Sequence, residues 1–513
     1  MKTLNNLSKF IVSSALSVGI VSSAQAQTKK TKAKVSSSKK TTTSRVAAPA
    51  KKYRPTQSSA GVSTSTVKNY MNDENWMGAL RALGSTNDAA SRSLRATLFD
   101  KMGYTHSALA ELVASYRLRP NATVLNRIGG LAFFLNETRL IQGLPTNSNG
   151  MKLALSAEAL MAGDIQRAKG LLPNADFLAN LPPSALKAKA TIFASAVHNA
   201  VGNVRDALVL LGGSFPETAG VDLGSIRLQR ALVLFEVGKY SEALDELKYI
   251  TRSSPAWYRG QIVGAWSAFH AEDYNLSLGQ LMNLHSPFLA GKFNPEKHLL
   301  RAVVLFQLCH YDSASRALKK LRDDYANISS SFQKVSSATD APARFYGELK
   351  TFASGKLKQS NSGLDLVWDG IASQPIVADL SNSIEKIKFE RQRIDQDFRT
   401  RELQGTRSFL LKVFEKVEDS YETRLARYSK ALVDKMKNDV KESLEGALAV
   451  DLEVNTRLRD RLIRAQAPVQ KTIDFKKELT KGYEFWPFEG EFWRDETGGY
   501  AFATSDVCEE GVR

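Results

Sequence analysis

The sequence predicts an all-α protein in which paired helices stack into an α-solenoid, followed by long charged helices and a small irregular module rich in aromatic residues. Three observations support this fold class. One pattern of small, aromatic and aliphatic residues recurs between residues 231 and 321, a single apolar stripe runs from Phe414 to Leu452, and aromatic rings crowd between Tyr483 and Phe502. A chain of 513 residues is also too long for one compact core, which favours an elongated array.

The N-terminus has the features of a secretory signal. Lys2 and Lys9 precede an apolar run that starts at Phe10, and the small-residue sequence Ala24-Gln25-Ala26 follows it. We therefore predict a signal peptide over 1–26, cleaved after Ala26. The run is too short for a comfortable membrane span, so the expectation is a periplasmic protein without a transmembrane segment after cleavage; an uncleaved anchor is the alternative.

Residues 27–67 form a basic, Ser-, Thr- and Ala-rich linker that we expect to be disordered. Residues 1–72 hold thirteen Lys or Arg and no Asp or Glu, so of the net charge of +17 only 17 − 13 = +4 belongs to the rest. The linker is either a solvated spacer or a segment attracted to an anionic surface such as the cell wall. Nucleic acid is disfavoured as a partner because the chain is predicted to be exported.

Three consecutive copies of the repeat place equivalent residues in the same order. They are Ala231, Tyr240, Ala243 and Leu247; Ala265, Tyr274, Ser277 and Leu281; and Ala302, Tyr311, Ala314 and Leu318. The small residues allow two helices to cross closely, and the aliphatic residues bury one stripe of the second helix. Because one hairpin cannot bury its stripe alone, the hairpins must stack.

Weaker copies extend the array over 68–328. The key small positions 108, 168, 207, 243, 277 and 314 are separated by 60, 39, 36, 34 and 37 residues. The gap of 60 predicts an irregular unit between Asn121 and Gly150, so six or seven hairpins are expected.

At these positions and with this period, the chain resembles the tetratricopeptide repeat (TPR) family, whose repeat is about 34 residues. The resemblance implies a concave groove that binds protein segments and is lined by the first helix of each hairpin. An apolar ladder there would consist of Phe235, Trp266, Phe269 and Phe306. The alternative is that these rings belong to the ordinary core between helices.

After the array, the pattern loosens over 329–377, which predicts a linker with one short helix near 343–352. Residues 378–467 then predict long charged helices. Their narrow apolar stripe is typical of a coiled coil, which would make 406–466 a stalk for a homo-oligomer. The alternative is a helical hairpin that folds back along the preceding helix within one chain.

Residues 468–513 form the aromatic module, with Gly and Pro residues that favour turns and short strands over helix. Its rings include Phe485, Trp486, Phe488, Phe492, Trp493 and Tyr500. The stretch 485–496 resembles a C-terminal motif of exported TPR proteins in bacterial gliding-motility and envelope complexes. That resemblance implies a role in an envelope assembly and no chemistry.

The chain has two cysteines, Cys309 and Cys508. In an oxidising compartment a pair of this kind favours a disulfide, which would fix the aromatic module to the later hairpins, on the apolar ladder or beside it. Two unrelated thiols are the alternative.

The sequence shows no motif for catalysis, for a cofactor or for a metal site; the six histidines form no pair with metal-ligand spacing. The predicted function is therefore that of a non-enzymatic scaffold that binds envelope proteins. The alternative is a module that binds or processes cell-wall glycan through its aromatic C-terminus.

Overall fold

The computed structural model describes residues 64–182, 184–213, 215, 221–289, 291–355, 362–463, 482–485 and 488–508. Over these ranges the chain is helical, with irregular connections and no strand. The predicted signal peptide and most of the basic linker lie outside the described residues, although the first described helix starts at Thr64, inside the range predicted as linker. No helix in the described part combines the length and apolarity that crossing a membrane requires.

In the part of the array that the structure describes, sixteen α-helices pack mainly against their neighbours in sequence. In chain order they are α1 Thr64–Asn72, α2 Trp76–Leu83, α3 Ala89–Lys101, α4 Thr105–Leu118, α5 Ala122–Leu135, α6 Asn149–Met161, α7 Ile165–Leu171, α8 Ala175–Ala179, α9 Ala185–Ala200, α10 Val204–Leu211, α11 Leu223–Glu236, α12 Tyr240–Lys248, α13 Trp257–His270, α14 Tyr274–His285, α15 Glu296–Gln307 and α16 Tyr311–Tyr325.

Seven of the helix pairs share one turn geometry. The residue two positions before each second helix has a left-handed backbone: Glu74, Gly103, Gly163, Gly202, Gly238, Glu272 and Cys309, with φ between 55° and 81°. The small residue at the fourth position of each second helix has no exposed surface: Ala79, Ala108, Ala168, Ala207, Ala243, Ser277 and Ala314. A closely crossing hairpin thus repeats seven times, which confirms the TPR-like solenoid.

The irregular unit predicted after Asn121 is an additional helix, α5, which packs against α6 through two glycines. A Cβ atom on Gly129 would lie 2.1 Å from the Gly150 carbonyl carbon, and one on Gly150 would lie 2.1 Å from the Asn126 carbonyl oxygen. Because the two backbones nearly touch, a larger residue at either position would separate the helices.

The region predicted as a linker is folded. It contains α17 Ser329–Ala338, α18 Pro342–Ala353 and α19 Ser362–Ala372, of which only α18 matches the short helix expected there. Phe332 and Val335 of α17 and Trp368 of α19 are buried in the main core. The prediction was wrong because Ser-rich composition describes the exposed faces of these helices, whereas the few apolar residues decide their packing.

The remaining two helices are α20 Pro375–Asp397 and α21 Gln404–Ile463. Ion pairs between Lys388 and Glu422 and between Arg391 and Glu418 show that they form an antiparallel hairpin. Beyond the hairpin, α21 packs against α15 to α19, and also against α4 near the start of the array. The long helix therefore bridges the first and last parts of the solenoid within one chain.

This arrangement corrects the stalk interpretation of residues 406–466. Most of the apolar stripe is buried against the chain itself, namely Phe414, Val417, Tyr421, Leu425, Leu432, Met436 and Val440. Only the distal part, with Leu448 and Leu452, is exposed. The apolar stripe that was predicted to join two copies instead packs against the other helices of the same copy.

Candidate functional site

The C-terminal hairpin meets the array at the N-terminus of α4, through Glu390 of α20. This carboxylate is buried and accepts hydrogen bonds from the backbone N–H of His106 at 3.0 Å and of Ser107 at 2.8 Å. The Ser107 hydroxyl donates to it at 2.7 Å, and His106 Nδ1 lies 3.1 Å from it. A helix start has unsatisfied N–H groups and a positive partial charge, so Glu390 stabilises α4 from 283 residues further along the chain.

The C-terminus of the next helix, α5, is capped by side chains of the same hairpin. The hydroxyl of Tyr421 donates to the Leu135 carbonyl at 2.8 Å, and the hydroxyl of Ser383 donates to it at 3.1 Å. The guanidinium of Arg424 donates to the carbonyl of Asn136. Cationic and hydroxyl donors at a helix C-terminus satisfy its free carbonyl groups. The hairpin is therefore part of the folded array, held by polar contacts to the ends of its helices.

The rings predicted to line a partner groove are mostly core residues. Phe235 is only 5% exposed and Trp266 only 2%, while Phe269 and Phe306 are half-buried. The three phenylalanines each pack on the tyrosine that starts the next helix, with ring centroids at 5.2 Å for Phe235–Tyr240, 5.9 Å for Phe269–Tyr274 and 5.6 Å for Phe306–Tyr311. The rings close the hairpin turns, so the prediction of an apolar ladder open to a partner is corrected.

A disulfide joins Cys309 to Cys508, whose Cα atoms lie 5.1 Å apart. It attaches the end of the aromatic module to the turn between α15 and α16. Next to it, the Val507 N–H donates to the Leu308 carbonyl at 3.2 Å, and His310 Nε2 lies 2.9 Å from the Ser505 carbonyl oxygen. A covalent bond and backbone contacts together fix this part of the tail on the array.

Before the disulfide, residues 498–504 run antiparallel to α14. The Thr504 N–H donates to the side chain of Asn275 at 3.1 Å, and the Gly498 N–H donates to that of Asn283 at 2.8 Å. Between them, the Tyr500 carbonyl oxygen would lie 2.1 Å from a Cβ atom on Gly279. The tail can lie this close to α14 because that helix has a glycine there.

The described tail contains turns, bends and irregular backbone. The turns were expected, whereas the expected short strands do not form in these residues. Tyr500 is buried, and its hydroxyl bonds the backbone of Trp493 through both the N–H at 2.9 Å and the carbonyl at 3.0 Å. This closes the loop 493–500. Three rings at its start and before it are exposed: Phe485 is 55% exposed, Phe488 45% and Trp493 43%. Trp486 lies outside the described residues.

We call the surface formed by residues 485 and 488–496 the aromatic face. The Phe488 and Phe492 rings pack edge to face at 5.1 Å, and Phe492 packs on buried Tyr500 at 6.2 Å. Phe492 thus connects the exposed Phe488 ring to buried Tyr500. The disulfide at Cys508 fixes the chain that follows the face. Large rings at the surface of a fixed loop are typical of protein contact sites, where they add contact area at little entropic cost.

Two histidines that the sequence did not pair meet between α14 and α15. His285 Nε2 lies 3.3 Å from His298 Nδ1, and His298 Nε2 lies 3.1 Å from an Asp324 carboxylate oxygen. Burial lowers the pKa of both imidazoles. Burial opposes ionisation of Asp324, but hydrogen bonds from His298 and Lys320 hold its pKa at about 2. The separation of thirteen positions between the two histidines hides the contact from any spacing rule.

This pair does not extend to a metal site: among the residues that the structure describes, no three His, Cys, Asp or Glu side chains are arranged to hold an ion. The arrangement of the described residues instead defines a class, a TPR-like α-solenoid closed by its own C-terminal helices and carrying a disulfide-fixed aromatic tail.

No protein-family model matches the chain. A search of curated proteins likewise finds no match. Among solved structures, the chain is similar to yeast Tom70, with 14% identity and a TM-score of 0.19 over 77% of this chain and 96% of that one. At so low a TM-score, the fold is defined by the seven helix hairpins themselves.

Proposed function

We propose that this protein is a non-catalytic scaffold that holds partner proteins in an exported cell-envelope assembly, and that the aromatic face is its docking surface. The observation that carries the proposal is the fixing of exposed rings on a rigid support. Phe488 packs on Phe492, which packs on buried Tyr500, and the Tyr500 hydroxyl bonds the backbone of Trp493. Cys508 anchors the segment to the array. A contact site that is already ordered loses little entropy when a partner binds.

The support for export comes from the predicted signal peptide and from the disulfide. Disulfides persist in secreted and periplasmic proteins, whereas the cytosol keeps thiols reduced. The envelope assembly itself rests on the resemblance of residues 485–496 to the motif of exported TPR proteins.

The test compares affinity capture from envelope extracts by the wild-type protein, by F488A/W493A and by the control V209A/Y249A. Val209 and Tyr249 are each 67% exposed on the array, more than Phe488 and Trp493, so the control removes exposed apolar side chains elsewhere. Because buried aromatic anchors in an interface contribute about 2 kcal/mol or more each, we expect F488A/W493A to bind at least about 30-fold more weakly.

The control variant should bind as the wild type does. Equal binding by all three proteins would contradict the proposal. Loss of sedimentation with purified cell wall by F488A/W493A, while protein capture persists, would favour the glycan-binding alternative, because exposed rings also stack on sugars.

A further inference from the structure

The aromatic face is strongly acidic, which the proposed scaffold role does not by itself require. Between residues 482 and 508 the chain has one cation and six carboxylates, a balance of 1 − 6 = −5. The carboxylates are Glu484, Glu489, Glu491, Asp495, Glu496 and Asp506, and the cation is Arg494. By contrast, residues 64–463 of the array and hairpin carry 51 Lys or Arg and 43 Asp or Glu, a balance of 51 − 43 = +8.

The acidic side chains lie among the exposed rings. Glu489, Asp495 and Glu496 are exposed, whereas Glu491 is half-buried and accepts a hydrogen bond from the Glu489 N–H at 2.8 Å. Arg252 of the array also lies at this surface, where its guanidinium donates to the Arg494 carbonyl at 3.1 Å. The face therefore offers aromatic rings and carboxylates together.

Rings and carboxylates on one surface recognise Lys and Arg side chains. An ammonium or guanidinium group over an aromatic face contributes about 0.5–1 kcal/mol at an exposed site, and an exposed ion pair contributes up to about 1 kcal/mol. Each contact is weak, so a tight complex needs many cations in one segment.

This chain contains such a segment. Residues 27–54 hold ten Lys or Arg and no Asp or Glu. We propose that residues 27–54 bind the aromatic face of the same molecule and compete there with the partner. The inference rests on the proposed function in that both use one surface.

The segment is long enough to reach the face. From Lys29 to Thr64 there are 64 − 29 = 35 residues, which span up to about 120 Å when extended. The 60-residue helix α21, which bridges the array, is about 90 Å long. A tether of this length also gives a high effective concentration, which offsets the weakness of the individual contacts.

Zero-length carbodiimide crosslinking of the purified mature chain tests the proposal, because it joins only amines and carboxylates in contact. In 50 mM NaCl we expect crosslinks from the lysines of 27–54 to concentrate on Glu489, Asp495 and Glu496. They should fall at least about fivefold in 500 mM NaCl, where screening is stronger. An equal mixture of light and isotope-labelled protein separates crosslinks within one molecule from those between molecules.

The variant F488A/W493A keeps every carboxylate and should lower these crosslinks at least about fivefold, because ring contacts of about 0.5–1 kcal/mol each are lost. The control V209A/Y249A, which removes two exposed apolar side chains elsewhere, should retain them. Crosslinks spread evenly over surface carboxylates, or formed only between molecules, would overturn the proposal. Because no partner is present, this result is independent of the capture experiment. Failure of the crosslinking prediction would leave the docking proposal unaffected, and loss of partner capture would leave the crosslinking result unaffected.

Discussion

The two places where the C-terminal part of the chain meets the array are built differently. At the N-terminus of α4, the hairpin contact is buried and made by charged and polar side chains around Glu390. Along α14, N–H groups of the tail donate to the side chains of Asn275 and Asn283, and the disulfide holds the tail at the next turn. Much of the aromatic surface of the tail stays exposed. The hairpin contact is buried within the molecule, whereas the tail leaves aromatic surface exposed to another molecule.

The largest effect expected is at the hairpin contact. In E390A, four donors around the carboxylate lose their acceptor inside the core, and each buried unsatisfied group costs about 1–3 kcal/mol. We expect a loss of about 3–5 kcal/mol in the free energy of unfolding, measured by urea denaturation. E390Q keeps one acceptor oxygen and should lose less. An E390A protein as stable as wild type would show that the contact is not a structural one.

A smaller and local effect is expected at the tail. Replacing the disulfide with C309S/C508S removes a crosslink worth about 2–4 kcal/mol, and the remaining tail contacts are few. We expect limited proteolysis to cut residues 488–508 much faster while α1 to α16 stay resistant. If the tail stayed equally protected, the disulfide would be dispensable and the backbone contacts sufficient.

Acid should weaken the array through the histidine pair. Burial lowers the pKa of His285 and His298 below the usual 6.5, so the unfolded chain binds protons that the folded chain does not. Their contribution is therefore complete above pH 6.5 and is lost as the pH falls further. The midpoint of thermal unfolding should drop between pH 7 and pH 5.5, and H285Q should flatten this dependence. An unchanged slope in H285Q would assign the acid sensitivity to other groups.

The smallest effect concerns the repeated turn. Glu272 adopts the left-handed backbone for which four other hairpins use glycine. E272G removes steric strain of about 1 kcal/mol, partly offset by glycine's flexibility in the unfolded chain. We expect a gain below about 1 kcal/mol in thermal denaturation, with no change in the tail. A marked loss would mean that the Glu272 side chain makes a contact that outweighs its backbone strain.

The array could be predicted because small residues at a regular spacing are needed where two helices cross closely. Ala108, Ala243 and Ala314 recur at a helical-hairpin period, and all are fully buried. Phe235 was misplaced because periodicity gives the spacing of residues on a helix but not its rotation against its neighbours. Glu390 was missed because it resembles any other charge on a polar helix, and only the folded chain brings it to His106.

The tail shows the same limit. Its ring content is evident in the sequence, yet which rings face outward depends on Gly279, which admits the backbone of Tyr500, and on the bond between Cys309 and Cys508. These are contacts between positions about two hundred residues apart. No local pattern encodes them.

Hydrogen–deuterium exchange of the mature protein, with and without a captured envelope partner, tests the docking surface most directly. Because it follows every segment at once, it compares the tail with the first helices of the hairpins in a single measurement. We expect the partner to slow exchange at residues 488–496, while α11, α13 and α15 exchange as they do in the free protein. Slower exchange in those three helices, with unchanged exchange in the tail, would contradict the account and would place the partner site on the array.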